Sequence, residues 1–255
     1  MEETGAGEIL AGLRIETVVG IILALTLLRL ALLHVRTASR SGKAPGTHPL
    51  ARAAAEMVES ALVAGALVFL IIRPFFFQAF FIPSESMEPT LLGHDAGLHN
   101  NRWHADTAHD YLFVNKLVYR YREPDRGDII VFRAPKEADQ LDRLLGRPQQ
   151  ENVLIKRLIG LPGDTLEVRT DGVYRNNRKL LEPYIKEPMA LGLEESFHFG
   201  AEGTPIHLGP GQLWVMGDNR NDSYDSRFWG PLDRGRVIGK AALLFWPLSR
   251  FRTIR

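Results

Sequence analysis

Cysteine is absent from the 255 residues. That removes a disulfide framework, a thiolate metal site and a cysteine nucleophile in one step. Charge of one sign is lacking too: 31 Lys and Arg stand against 30 Asp and Glu, a net charge of +1. So balanced a chain carries no basic excess for nucleic acid and no acidic tail. No internal repeat and no βαβ alternation is visible, which argues against a solenoid or a doubly wound parallel sheet. Nor does any apolar run reach the roughly 20 uncharged residues of an ideal spanning helix.

Two apolar stretches come close. The first runs from Thr17 to Val35 with Arg29 as its one charge; the second runs from Ser60 to Ile72 and continues past Arg73-Pro74 into Phe75-Phe76-Phe77. Long arginine side chains near helix ends can snorkel to the headgroups. Two such segments joined by a polar linker predict a membrane hairpin; a pair of buried helices is the alternative. Glu2, Glu3 and Glu8 precede the first stretch, and Arg36, Arg40, Lys43 and Arg52 follow it. By the positive-inside rule the linker is cytoplasmic and both termini face outward. The acidic N-terminus, with no small-x-small site following closely, does not read as a removable leader. The expected organisation is a first transmembrane helix and cytoplasmic loop over 1–56, a second transmembrane or interfacial segment over 57–82, and an outward domain over 83–255. Phe75, Phe76, Phe77, Phe80 and Phe81 suit a membrane interface or the core of that domain equally well.

The outward domain reads as mainly β. Short period-two runs include YLFVNKLVY from Tyr111, DIIVF from Asp128, NVLIKRLI from Asn152, TLEV from Thr165 and QLWVM from Gln212; GKAALLFW from Gly239 is more continuous. Turn signals fall between them, with hairpins expected at Asp171-Gly172 and Asn176-Asn177. An antiparallel sheet is therefore expected. Two stretches read as inserted loops: Gly93 to His109 and Lys136 to Glu151. The first holds His94, His99, His104 and His109. A spacing of five suits neither a helix face nor a strand face, and no HExxH pattern is present. It reads as a solvated loop, with no metal site and no cofactor expected.

The stretch IPSESMEPTL, Ile82 to Leu91, places Ser84 and Ser86 two apart just after the second apolar run. A serine nucleophile needs a base. The histidines offer no triad pattern. Lys156, in NVLIKRLIGLPGD, shares a strand face with Leu154 and Leu158. Burial there would favour the neutral amine, the only form able to accept a proton. A lysine guarding a sheet edge is the competing reading. A third stretch, GDNRNDSYDSRFWG from Gly217, follows the strand QLWVM. Its hydroxyls can orient an amine; equally, it can be a salt-bridged turn.

PSESMEPTL, KRLIGLPGD and GDNRNDSYDSRFWG, in this order behind an apolar anchor, closely resemble the three signature boxes of type I signal peptidases, the bacterial leader peptidases. The resemblance runs from Phe80 to Trp246, about two thirds of the chain. It implies a Ser-Lys dyad, with Ser86 as nucleophile and Lys156 as general base. Ser84 matches the side-chain oxyanion donor, partnered by the Ser86 backbone N–H. Ser223 matches the serine that orients the lysine amine. Asp218, Asp225, Arg227 and Arg157 match supporting positions. Phe80, Ile82, Met87, Leu91 and Ile155 match the lining of shallow apolar pockets for small substrate side chains. The implied fold is a β-rich catalytic core with a smaller β-rich portion inserted, here about 167–210. Glu85 departs from the family, which commonly has glycine there; a positive φ at that position would strain a glutamate.

The resemblance implies a protease of the cytoplasmic membrane, multi-pass, with its catalytic domain on the outer face. Its partners would be signal-peptide-bearing preproteins, cut after a small-x-small site, together with the lipid bilayer and the translocation machinery. Two other functions are compatible with parts of the sequence. One is a maturation protease dedicated to a single class of exported protein. The other is an inactive anchor at the secretion channel, against which both Ser86 and Lys156 stand. A self-cleaving repressor would need a DNA-binding helix-turn-helix and no membrane hairpin.

Overall fold

The computed structural model describes residues 49–66, 68, 76–99, 102–136, 153–190, 192 and 196–254. The chain divides into two units, Met1–Gln78 and Ala79–Arg255. In the first, a single helix is described, α1 (Pro49–Ala66). Arg52, Glu56 and Glu59 interrupt its apolar character, and no described helix is long and apolar enough to cross a membrane. The apolar stretch Thr17–Val35 lies outside the described residues, as do 69–72 of the second stretch.

In chain order the strands are β1 (Phe77–Phe81), β2 (Gly93–His94), β3 (Gly97–His99), β4 (Arg102–His104), β5 (Ala108–His109), β6 (Tyr111–Asn115), β7 (Ile129–Arg133), β8 (Val153–Gly160), β9 (Thr165–Arg169), β10 (Gly172–Arg175), β11 (Arg178–Lys179), β12 (Ile206–His207), β13 (Gln212–Met216), β14 (Leu232–Asp233), β15 (Val237–Trp246) and β16 (Arg252–Thr253). Two single-turn helices, α2 (Val118–Tyr121) and α3 (Ser226–Trp229), and 3-10 turns at Glu85–Met87, Arg234–Arg236 and Leu248–Arg250 are also described. The main sheet has the order β1-β6-β15-β7-β8-β13-β14, with β16 also on β15. The pairs β6–β15, β15–β7, β7–β8 and β8–β13 are antiparallel. Register shifts in β15 at 237/239, 241/243 and 244/246 mark bulges, which bend a strand and raise its twist.

Alternation along these strands separates two apolar cores. Ile129 and Val131 of β7 meet Ile82, Met87, Leu91, Leu112, Val114, Ala241 and Leu244 on one face. Ile130 and Phe132 meet Leu158, Leu213, Val215 and Trp229 on the other. Each fully buried Ile, Leu or Val of such a set contributes about 1.5–3 kcal/mol. A smaller sheet, β11-β10-β9-β12, lies in sequence between β8 and β13. It closes a third cluster on Leu166, Val168, Val173 and Trp214. Asn176 and Asn177 form the β10–β11 turn with φ of 53° and 62°, the two positive values that a two-residue hairpin of this type needs.

Two local expectations are corrected. The run from Tyr111 does not stay extended to Tyr119. The Asn115 side chain accepts the N–H groups of Leu117 (2.9 Å) and Val118 (3.1 Å), which ends β6 and starts α2. The stretch Gly93–His109 is paired rather than a plain loop, although Leu98 and Trp103 stay largely exposed. β2 pairs with β5 and β3 with β4, giving a hairpin whose His94 and His104 side chains are about nine-tenths buried.

Candidate active site

Lys156 sits on β8 opposite Ile130 of β7, on the apolar face that Leu154, Leu158 and Phe132 share. Its side chain is buried and its Nζ lies 2.6 Å from Ser86 Oγ. Burial pushes the Lys156 ammonium down from 10.5 to about 8. The carboxylates of Asp225, Asp222 and Asp218 oppose that shift, and the Arg227 guanidinium reinforces it. Desolvation is decisive because an ammonium loses its hydration shell in such surroundings. A neutral Lys156 can accept the Ser86 hydroxyl proton across the same short contact.

Ser86 lies in a single 3-10 turn, Glu85–Met87, entered from an extended Ser84. Met87 is buried in the first core and anchors the turn. The Glu88 N–H donates to Glu85 O (2.9 Å) and the Leu91 N–H to Met87 O (2.9 Å). Ser84 is exposed, with its Oγ 3.3 Å from Ser86 Oγ. Among the described residues, the non-glycine positions with positive φ are Asn176 and Asn177. Glu85 is therefore free of the strain its departure from glycine raised.

A buried charged framework backs this turn. Arg157 is the neighbour of Lys156 on β8. It forks onto Asp218 (Nε to Oδ1 2.8 Å, Nη2 to Oδ2 2.6 Å). Asp218 also accepts from Thr90 Oγ1 (2.6 Å), tying the segment that carries Ser86 to the stretch after β13. Asp225 accepts from the Gly217 N–H (2.9 Å), Ser223 Oγ (2.7 Å) and Arg227 Nε and Nη2 (2.8 and 2.9 Å). Burial alone would raise its carboxyl; Arg227 and these bonds outweigh that and hold it below the ordinary carboxylate range. Asn219 completes the framework: its N–H donates to Ser86 O (3.1 Å) and its Nδ2 to Glu85 O (3.3 Å). Gly217 stands between the two halves. A Cβ there would lie 2.3 Å from Ser223 Oγ and 2.4 Å from Ser86 O.

Residues 54–246 match the family model described as "Signal peptidase, peptidase S26". The chain belongs to the signal peptidase S26 family. Similar proteins include a probable signal peptidase I-2 of a Synechocystis species, 35% identical over 85% of this chain and 82% of that protein. The signal peptidase I of Leptolyngbya laminosa is 38% identical over 70% and 73%. That of Mycobacterium tuberculosis is 32% identical over 85% and 81%. The matched span holds all three boxes of this signal peptidase and ends where β15 ends.

Within this signal peptidase the expected residues fall into four sets. Ser84, Ser86 and Lys156 converge, and Arg157, Asp218, Asp225 and Arg227 pack behind them. Ser223 stands apart from the expected contact: its hydroxyl donates to Asp225, and the side-chain bond of Lys156 goes to Ser86. Of the five apolar residues, Ile82, Met87 and Leu91 are enclosed in the core, whereas Phe80 and Ile155 keep partial exposure. Sequence reasoning missed Thr90 and Asn219, although both lie inside the quoted boxes. It also missed Glu182, which takes both Arg220 Nη groups at 2.7 Å, and Lys186, which donates to Glu88 Oε2 (2.6 Å). No signal in the sequence marks those two, since their partners come from distant segments. Among the described residues no group of three or more His, Asp or Glu side chains is arranged to hold a metal ion.

Proposed function

We propose that this signal peptidase is a membrane-anchored serine endopeptidase that removes N-terminal signal peptides from exported preproteins after small-x-small sites, through a Ser86-Lys156 dyad. The observation that carries the reading is the 2.6 Å contact between a buried amine and Ser86 Oγ. In the first step the Ser86 hydroxyl proton passes to Lys156 Nζ while Oγ attacks the scissile carbonyl carbon. The oxyanion that forms is met by the Ser86 N–H and the Ser84 hydroxyl, one donor of the kind worth about 2.7–4 kcal/mol in the transition state. Collapse breaks the C–N bond, and the Lys156 ammonium returns its proton to the leaving amine. Water then attacks the acyl carbon, its proton passing to neutral Lys156; collapse breaks the C–Oγ bond, the Lys156 ammonium returns that proton to Ser86 Oγ, and the carboxylic acid product leaves and ionises.

Arg157, Asp218, Asp225 and Arg227 support this chemistry by holding the turn and β8 in register. Ser223 supports it through Asp225, the carboxylate that most strongly opposes the loss of the Lys156 charge. Exposed surface on Phe80 and Ile155 supports an apolar subsite beside the dyad. The apolar stretches Thr17–Val35 and Ser60–Ile72, with basic residues between them, support the anchor and an outward catalytic domain.

The test is cleavage of a purified preprotein in detergent by the unchanged chain, Ser86→Ala and Lys156→Ala, with N-terminal sequencing of the product. Cutting after a small-x-small site by the unchanged chain alone is the expected outcome. Full activity in Lys156→Ala would remove lysine as the base. Activity of the unchanged chain toward one preprotein class only would favour a dedicated maturation protease.

A further inference from the structure

Two features beside the serine pair meet in space. One is Glu85, immediately before Ser86. The other is the hairpin Gly93–His109. The hairpin lays three of its histidines along the segment that carries the two serines. His109 Nδ1 donates to Ile82 O (2.8 Å), with Asp95 Oδ1 3.0 Å from its Nε2. His104 Nε2 lies 3.2 Å from Glu85 Oε1, within ion-pair reach but not aligned as a hydrogen bond. His94 Nδ1 bonds Glu88 Oε1. The rings of His94 and His104 stack with centroids 4.0 Å apart, so the two contacts form one unit. At the start of the hairpin, a Cβ on Gly93 would meet Ser84 O at 2.5 Å and Ser84 N at 2.7 Å. The hairpin backbone therefore touches the backbone of Ser84.

Lys186 completes the arrangement. Its Nζ lies 2.6 Å from Glu88 Oε2 and 3.7 Å from Glu85 Oε2, and its N–H donates to Asp218 O (3.0 Å). Glu85 and Glu88 are both buried. Burial would raise the Glu88 carboxyl, but the bonds from Lys186 and His94 outweigh it and hold it below the ordinary range. Two buried carboxylates on either side of the nucleophile need compensation. Left unpaired, they would reorganise toward water and carry the turn with them, and their charge would oppose the developing oxyanion.

We propose that His94 and His104 of the hairpin, together with Lys186, clamp Glu85 and Glu88 and so position Ser86 and Ser84 for attack. These are positioning residues, since none reaches the Ser86 Oγ–Lys156 pair. The clamp accounts for glutamate at 85: the side chain is a handle by which the inserted hairpin holds the nucleophile turn. The inference rests on the reading of Ser86 as the nucleophile.

The test measures kcat and KM separately for preprotein cleavage by the full chain in detergent, well below each variant's melting temperature. His104→Ala is expected to lower kcat about 10-fold or more with KM within about 2-fold, the pattern of a lost transition-state alignment. His104→Gln, which keeps a polar side chain facing Glu85, should recover most of that loss. In a Glu85→Gly background, His104→Ala should cost less than about 2-fold, because the residue it acts through is gone. Unchanged kcat in His104→Ala, or an equal loss in both backgrounds, overturns the clamp. Should His104→Ala fail to fold, His104→Gln and Glu85→Gln carry the comparison: wild-type kcat in Glu85→Gln with a lowered melting temperature alone overturns the clamp too. Ser86→Ala is assayed in parallel. Activity abolished there but intact in the clamp variants removes the clamp alone; activity retained there removes the dyad reading beneath it.

Discussion

Lys156 Nζ and Ser86 Oγ lie 2.6 Å apart although 70 residues separate them in the chain. The amine comes from a central strand and the hydroxyl from a one-turn 3-10 segment. Neither element positions the pair alone. Met87 and Leu91 pin the turn into the core that Val131 of β7 also lines, and β7 pairs with β8 along its length. The dyad geometry is thus a consequence of core packing on one face of the sheet and of burial on the other.

The first prediction concerns pH. With Lys156 at about 8, kcat/KM should rise with pH through that value and level off above it, since the proposed dyad acts through the neutral amine. A flat profile from pH 6 to about 10 would remove Lys156 as the base. Stability has its own dependence. The folded value lies below the ordinary 10.5, so between the two the unfolded chain binds more protons and stability rises with pH. Below about 8 the penalty of burying the charge is fully present, on the order of 3 kcal/mol. Lys156→Met should therefore be more stable than the unchanged chain at pH 7, and the gap should close toward about pH 10. Urea denaturation at several pH values measures it.

Ser84→Ala should lower kcat by about 10²–10³-fold and leave KM nearly unchanged, the signature of a donor that acts on the oxyanion. Steady-state kinetics on one preprotein check this. A loss confined to KM would assign Ser84 to substrate binding.

Asp225→Asn leaves the buried Arg227 guanidinium without its carboxylate, and breaking such a pair costs about 3–5 kcal/mol. Chemical denaturation should show the loss as a lower midpoint with an unchanged slope. The Asp225 carboxyl is held below its ordinary value, so its contribution is present above the ordinary aspartate range and disappears as pH falls through the folded value. The same substitution removes the charge that most opposes the Lys156 shift. The activity limb should move to lower pH in the folded fraction that remains.

Gly217→Ala puts a Cβ 2.4 Å from Ser86 O and 2.3 Å from Ser223 Oγ. One is backbone of the turn that carries Ser86 and cannot swing aside. We expect loss of both stability, about 1–3 kcal/mol, and kcat, about 10-fold or more. Ser223→Ala in the same background should restore part of the stability and none of the displacement at Ser86. Melting temperature and kcat measured on both variants separate the two effects.

The β-rich character of the catalytic unit was legible because period-two patterning and Asp-Gly and Asn-Asn turns act locally; β7, β8, β9, β13 and β15 fall where those patterns lie. The misreadings were local patterns with a second meaning. KLVY alternates like a strand, yet the Asn115 side chain captures two N–H groups and turns it into α2. The histidine stretch looked solvated because its spacing fits no regular face; the buried carboxylates that His94 and His104 face, Glu88 and Glu85, approach from another segment.

The sequence by itself determined the candidate reacting groups, since three boxes in one order carry Ser84, Ser86, Lys156 and the Asp and Arg residues behind them. It also determined the absence of thiol chemistry. Tertiary structure decided how those groups are used. Only packing buries Lys156 enough to lower its pKa, turns Ser223 toward Asp225, and brings Asn219 onto the Ser86 carbonyl. Only packing folds the inserted hairpin over Glu85. Each of these depends on desolvation and on distances between segments far apart in the chain, and neither is encoded in any local run of residues.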